Sequence, residues 1–338
     1  MASDADIIQQ LTAFARTETG DAKARVTALT ALPGHAGQSY SFDLEACSAS
    51  GVVTREKLVL RLAPEGVRIA GPADVVRQAR IMQSLIGTRV PVPPIKWLGD
   101  DPRWFGRPYF VAGFVAGDKL ALGERSFSRD EQRALARATV EMLADLHALP
   151  WEPRRAVWGD PLTLADEMAR LDTLLDRPTL DAKVVGRAPK LRERLRATFP
   201  PSPRVGCLHG DLQWSNCLYG DGRVLAVIDW ELSQIGAVLI DLGWLCFFSD
   251  RETWVLTELV PEHVPEPDEL AEIYRSRVAW PVTEADVRWF RAFAGYRFGV
   301  ITAFNLMLHR RGKRPDPTWE DIALSAPRMF ERALQLLG

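Results

Sequence analysis

The hydrophobic pattern of the chain changes period near residue 115, and that change limits the folds open to it. Before it, apolar residues alternate as on half-buried strands: Leu58, Leu60 and Leu62 interleave with Val59 and Arg61. Strands are expected over 25–32, 40–46 and 57–62, with shorter ones over 95–98 and 109–114. One helix interrupts them, because Val75, Ala79, Met82 and Leu85 recur at helical spacing until Gly87 and the VPVPP run stop it. From residue 126 the period becomes helical. One stripe runs through Leu135, Met142, Leu143, Leu146 and Leu149, and a second through Val287, Phe290, Phe293, Val300, Phe304 and Leu308. Two short apolar strands, 205–208 and 224–228, sit between these stripes. The pattern predicts an α+β chain in two lobes, 1–112 and 113–338. The join falls near residues 112–118, where Gly113 and Gly117 loosen the backbone.

Composition excludes several classes. With 42 Lys+Arg against 44 Asp+Glu the net charge is -2, so no basic field exists to hold nucleic acid. The four cysteines (Cys47, Cys207, Cys217 and Cys246) form no CxxC pair and no disulfide scaffold, which predicts reduced thiols and a cytoplasmic setting. The MASDADIIQQ start carries acids where a signal peptide needs a basic flank and an apolar run. The most apolar later stretch, 235–248, is short and contains Asp241, so no membrane partner is expected.

The sharpest segment is CLHGDLQWSNCLY followed by VLAVIDWE. It puts Asp211 and Asn216 in one loop and Asp229 at the end of the next strand. Phosphoryl transfer from a nucleotide needs such a set: one carboxylate to take a proton from an incoming hydroxyl, and an amide oxygen and second carboxylate to hold Mg²⁺ on the phosphates. Magnesium takes hard oxygen ligands and keeps several waters, so two protein ligands suffice. Asp and Asn also form surface turns, but the chain has only two asparagines, and both aspartates follow buried-looking strands.

HGDLQWSN followed by IDWE resembles the aminoglycoside phosphotransferase-like family, relatives of choline kinases and protein kinases. LVLRLAP, VPVPPIKWLGDD, YFVAGFVAGD, LADLHALP and DLGWL fall in that family's order. The chain looks closest to the branch that includes kinase domains fused to acyl-CoA dehydrogenases, a placement that RWFRAFAGYRFGVI supports. The resemblance implies a protein-kinase-like bilobal fold, with an N-lobe of antiparallel sheet plus one helix and a larger, mainly helical C-lobe. It implies Asp211 as catalytic base and Asn216 and Asp229 as metal ligands. His209 would organise the loop and Asp241 would tie it down through backbone hydrogen bonds. Gly34, Gly37 and Ser39 would fold over the nucleotide phosphates, Arg61 would hold them, and backbone groups of Gly113 and Val115 would meet the adenine edge. The implied cofactors are ATP, with GTP an open alternative, and Mg²⁺. The implied partner is a small molecule bearing a hydroxyl, with a metabolic alcohol or hydroxyacyl-CoA preferred over an aminoglycoside.

Two positions depart from the commonest pattern. Arg61 stands where lysine is expected, and Gln78 where a helix glutamate usually pairs with that cation. Arginine still offers a fixed charge and a bidentate fork. Glu56 and Asp74 are candidate replacement partners, and a catalytically silent nucleotide-binding regulator is the alternative reading. PGHAGQS taken alone reads as a plain hairpin turn. The cluster His309, Arg310, Arg311, Lys313 and Arg314 reads first as cations at a helix C-terminus, and otherwise as an anion site for a coenzyme A ester. His147 reads as structural, Cys207 and Cys217 as core thiols. Trp214 and Trp230 either wall an acceptor pocket or pack in the core.

Overall fold

The structure is a computed structural model that describes residues 4–32, 38–48, 50–120, 126–256 and 260–338. The chain divides into two compact units. The first is Met1–Ala116 with Leu225–Leu232, and the second is Gly117–Val224 with Ser233–Gly338. The division falls between Ala116 and Gly117, and an eight-residue segment carrying Asp229, Leu225–Leu232, is grouped with the first unit.

The first unit is an antiparallel sheet of β1 (Arg25–Leu32), β2 (Gln38–Cys47), β3 (Val53–Leu62), β4 (Ile95–Gly99) and β5 (Tyr109–Gly113) in the order β1-β2-β3-β5-β4. The alternation read from the sequence works as pleat alternation does: Phe42, Leu44, Leu58, Leu60 and Leu62 bury one face. That face is covered by α1 (Asp4–Thr19), a helix the sequence reading did not assign. Its Ile7, Leu11, Phe14 and Ala15 make a helical stripe that enters the sheet core. Phe14 meets Trp97, Trp104, Phe105 and Tyr109 edge-on, with ring centroids 5.2–5.5 Å away. Such a side chain contributes about 3–5 kcal/mol relative to alanine. The other helices of this unit are α2 (Val75–Ser84), capped by the Asp74 side chain, and the single turn α3 (Pro102–Phe105). Pleating turns Arg61 away from the α1 face.

The second unit is mainly helical: α4 (Arg129–His147), α5 (Arg155–Trp158), α6 (Leu164–Leu175), α7 (Ala182–Val185), α8 (Ala188–Ala197), α9 (Leu239–Phe247), α10 (Pro267–Arg277), α11 (Glu284–Arg310), α12 (Thr318–Ala323) and α13 (Ala326–Leu337). Capping boxes start α4, α6 and α11, at Ser128, Thr163 and Thr283. The long α11 packs on α6, α8, α9, α12 and α13. At Gly243 of α9 the two helices leave no room for a side chain: an added Cβ would lie 2.4 Å from the Phe290 carbonyl oxygen. β6 (Val205–Leu208) pairs antiparallel with β9 (Gln234–Ala237), and β7 (Cys217–Gly220) forms a two-stranded ribbon with β8 (Arg223–Val227). β6 leads directly into His209. No helix among the described residues is long and apolar enough to cross a membrane.

Candidate active site

One half of the predicted constellation lies in the second unit. The loop after β6 is anchored from below by Asp241, in the first turn of α9, whose carboxylate accepts the backbone N–H groups of His209 (2.7 Å) and Gly210 (2.8 Å). His147 adds Nε2 at 3.4 Å, and its Nδ1 is 2.7 Å from the Tyr274 hydroxyl. Asp241 is fully buried, and burial alone would raise its pKa. The hydrogen bond and charge of His147, with those of His209, outweigh it and hold the carboxyl below its ordinary value. His209, also fully buried, accepts the Asp211 backbone N–H at Nδ1 (3.2 Å), so its ring supports the turn from inside.

Asp211 emerges at the end of this support with both carboxylate oxygens engaged. Trp244 Nε1 on α9 donates to Oδ1 at 2.8 Å, and Asn216 Nδ2 donates to Oδ2 at 3.1 Å. The same Asn216 nitrogen donates to the Asp211 carbonyl at 2.8 Å. Asn216 is therefore fixed by its nitrogen end, which turns its amide oxygen into the end available to a cation. Trp214 and Trp230 are both core residues, 3% and 1% exposed, with indole N–H groups donated to Ser249 Oγ and the Val227 carbonyl. Packing accounts for both.

The other half lies in the first unit. Arg61 stands directly opposite Ser39 in the β2–β3 register, and Nη1 donates to Ser39 Oγ at 2.9 Å. Its Nη2 lies 3.7 Å from Asp229 Oδ1 and 3.6 Å from Glu231 Oε2. Asp229 has a left-handed backbone (φ 66°) and is one of three described non-glycine residues with positive φ. The short 3₁₀ turn Trp230–Leu232 then brings Glu231 back beside Arg61. Neither candidate read from the sequence partners the arginine. Glu56 pairs with Lys96 at 2.8 Å, Asp74 caps α2 through the Arg77 N–H, and buried Gln78 donates to the Pro72 carbonyl. Glu231, within the quoted IDWE, is the residue that sequence reasoning missed.

Gly113 donates its N–H to the Pro94 carbonyl (2.8 Å), and an added Cβ there would lie 2.8 Å from the Pro94 ring. Of its two backbone polar groups, the carbonyl is thus the one left for an adenine edge. Val115 follows two residues later and is half-buried. Gly34, His35 and Gly37 lie outside the described residues. In the basic cluster, Arg310 is paired with Glu320 (2.7 Å) and Asp181 (2.9 Å), and His309 Nδ1 accepts the Asp316 N–H, so much of that charge serves the local fold. All four cysteines are free. Burial pushes the Cys207 thiol up to about 11 and those of Cys217 and Cys246 to about 12, which leaves them unreactive. No group of three or more His, Cys, Asp or Glu able to hold a metal occurs among the described residues. Each in its own unit, Asp229 offers a carboxylate and Asn216 an amide oxygen, both hard oxygens of the kind that Mg²⁺ takes.

The chain aligns with the probable acyl-CoA dehydrogenase IBR3 of Arabidopsis thaliana at 25% identity, over 73% of this chain and 31% of that protein. It aligns with acyl-CoA dehydrogenase family member 11 of Homo sapiens at 27% identity, over 64% and 29%. It therefore spans about a third of the length of these relatives. Among solved structures, a Ralstonia eutropha JMP134 protein assigned as an aminoglycoside phosphotransferase superposes with TM-score 0.74 at 20% identity, covering 97% of each chain. The aminoglycoside phosphotransferase APH(4)-Ia in ternary complex with ADP and hygromycin B gives 0.64 at 15% identity, covering 96% and 98%. The fold is thus the aminoglycoside phosphotransferase-like fold, an antiparallel-sheet N-lobe with a helical C-lobe. The model of the Phosphotransferase enzyme family matches residues 49–273, about two thirds of the chain, and the chain belongs to that family.

Proposed function

We propose that the protein transfers the γ-phosphoryl group of ATP to a hydroxyl of a small molecule. The observation that carries this reading is the Asp211 carboxylate, fixed by Trp244 and Asn216 at the end of a loop that Asp241 holds from within. Asp211 accepts the acceptor's hydroxyl proton as that oxygen bonds to the γ-phosphorus. The bond from phosphorus to the β–γ bridging oxygen breaks, and the products are a phosphate monoester and ADP. Its two N–H donors orient the carboxylate and keep it from swinging toward bulk water. Arg61, steadied by Ser39 and flanked by Asp229 and Glu231, binds phosphate oxygens of the nucleotide. Asn216 and Asp229 would hold Mg²⁺, which when bound supplies positive charge to the phosphates. Buried thiols and the absence of a basic field support a cytoplasmic protein that acts on metabolites. The acyl-CoA dehydrogenase relatives support a metabolic alcohol or hydroxyacyl-CoA over an aminoglycoside as acceptor.

An ADP-release assay with Mg·ATP over a panel of hydroxyl compounds tests the reading. Asp211→Ala should reduce turnover by at least about 10²-fold while nucleotide binding stays near wild type. Full turnover in that variant would remove Asp211 from the chemistry, and nucleotide binding without consumption for any acceptor would argue for a silent regulator.

A further inference from the structure

His147, the last residue of α4, is 1% exposed and has a partner at each ring nitrogen. Its Nδ1 lies 2.7 Å from the Tyr274 hydroxyl on α10, and its Nε2 lies 3.4 Å from Asp241 Oδ2 on α9. That Oδ2 also accepts the His209 N–H at 2.7 Å, while Oδ1 accepts the Gly210 N–H at 2.8 Å. Side chains from three helices therefore run in one buried line, Tyr274 to His147 to Asp241, and end on the loop that carries Asp211. Only Asp241 bonds the loop's backbone. Among the described residues the Tyr274 hydroxyl bonds His147 alone, so whatever it does for the loop passes through that ring.

Hydrogen-bond capacity fixes where the protons sit. Tyr274 is fully buried, and a buried hydroxyl proton left without an acceptor costs about 1–3 kcal/mol. A proton on Nδ1 would donate to the phenol oxygen and strand the O–H in this way. The phenol is therefore the donor and Nδ1 the acceptor, and the ring's own proton sits on Nε2, facing the Asp241 carboxylate. The opposite tautomer would set a bare Nε2 lone pair against Oδ2. Burial, reinforced by the charge of Asp241, pushes the phenol above its ordinary pKa, so it keeps its proton and stays a donor. Positive charge on His147 enters only in acid, the range in which the Asp241 carboxyl itself titrates.

We propose that Tyr274 is a positioning residue for Asp211: its hydroxyl holds His147 in the Nε2–H tautomer, which keeps the Asp241 carboxylate turned toward the His209 and Gly210 N–H groups. The proposal rests on the phosphotransferase reading above and adds to it a residue that meets no reactant. A ring free to change tautomer would repel Oδ2 part of the time, rotate the carboxylate and release one of the two N–H groups that fix the loop.

The test uses the full chain with nitrogen-15 in its histidines. Imidazole nitrogen shifts report the tautomer, and His147→Gln identifies which signals belong to His147. At neutral pH the wild type should show Nδ1 as a bare acceptor and Nε2 protonated. Tyr274→Phe keeps the ring and removes one oxygen. It should move the Nδ1 signal and admit the second tautomer. Hydrogen exchange at the His209 and Gly210 amides should speed up at least about threefold, and kcat should fall by a similar factor at unchanged KM for ATP. In a His147→Gln background the same substitution should alter neither exchange nor kcat, because the hydroxyl acts through the ring. Additive losses would overturn the proposal and leave the phosphotransferase reading intact. So would a Tyr274→Phe protein that melts earlier while loop exchange and kcat stay unchanged. A wild-type His147 protonated at Nδ1 would overturn it too, and that measurement decides even if Tyr274→Phe does not fold. Faster loop exchange in a chain that consumes no ATP with any acceptor would do the reverse, leaving Tyr274 as an anchor of the loop and removing the reaction.

Discussion

The two halves of the constellation are built by different physics. In the second unit Asp211 is held by N–H donors on both oxygens, and the loop beneath it hangs from a fully buried carboxylate. In the first unit Arg61 faces two carboxylates at 3.6 and 3.7 Å, which is charge contact rather than hydrogen bonding, and the Asp229 side chain is 36% exposed. The first arrangement fixes a direction before anything binds. The second holds charges of both signs at a spacing that leaves them free to rearrange, which the proposed function would assign to a nucleotide and its metal. A base must point in one direction to act, whereas a phosphate grip must yield and re-form with each turnover.

This contrast can be broken by measurement. The largest effect is expected at the fixed half: Asp211→Asn should lower kcat by about 10²–10⁴-fold, with little change in the KM for ATP. A loss confined to KM would mean that the residue grips and does not orient. Next comes Asp241→Asn, which should cost about 3 kcal/mol in a denaturant melt by breaking a buried, fully paired charge. Because the Asp241 carboxyl lies below its ordinary value of 3.8, this stabilisation is complete above that pH and disappears as pH falls through the lower folded value. The wild type should therefore lose its margin over the variant only in strong acid, as acid unfolding curves would show. At the yielding half, Glu231→Gln should raise the KM for ATP by about tenfold and change kcat less, an effect that added salt should shrink. Smallest is Trp244→Phe, which keeps the ring under Arg297 and removes one donor to Asp211. A fall in kcat of about fivefold is expected from the loss of one charge-assisted hydrogen bond.

The fixed half was the more legible in sequence, because its residues are close along the chain and each is a type that the chemistry demands. Strand β3 was legible too: alternation of Leu58, Leu60 and Leu62 places Arg61 on the other face without any coordinates. Glu231 is visible in sequence within IDWE, but its pairing with Arg61 depends on the left-handed turn at Asp229, which no side-chain pattern announces. Strands β7 and β9 span four residues each, too few to establish a period of two. Helix α1 is a different case. Ile7, Leu11 and Phe14 carry a helical stripe, but it is short and diluted by the polar Asp4, Asp6, Gln9, Gln10 and Thr12. Trp244 lay in DLGWL and Arg297 in RWFRAFAGYRFGVI. The cation–π contact between Arg297 and the Trp244 ring arises only when α9 and α11 pack across Gly243.

The left-handed residue at 229 also sets a trap for directed evolution. An L-amino acid in that conformation costs about 1 kcal/mol that glycine avoids, partly offset by glycine's looser unfolded chain. Screens that reward heat resistance alone will accordingly enrich glycine there and return sturdier proteins without the carboxylate, whereas Asp229→Asn, which tolerates the same twist, isolates the loss of charge from the relief of strain.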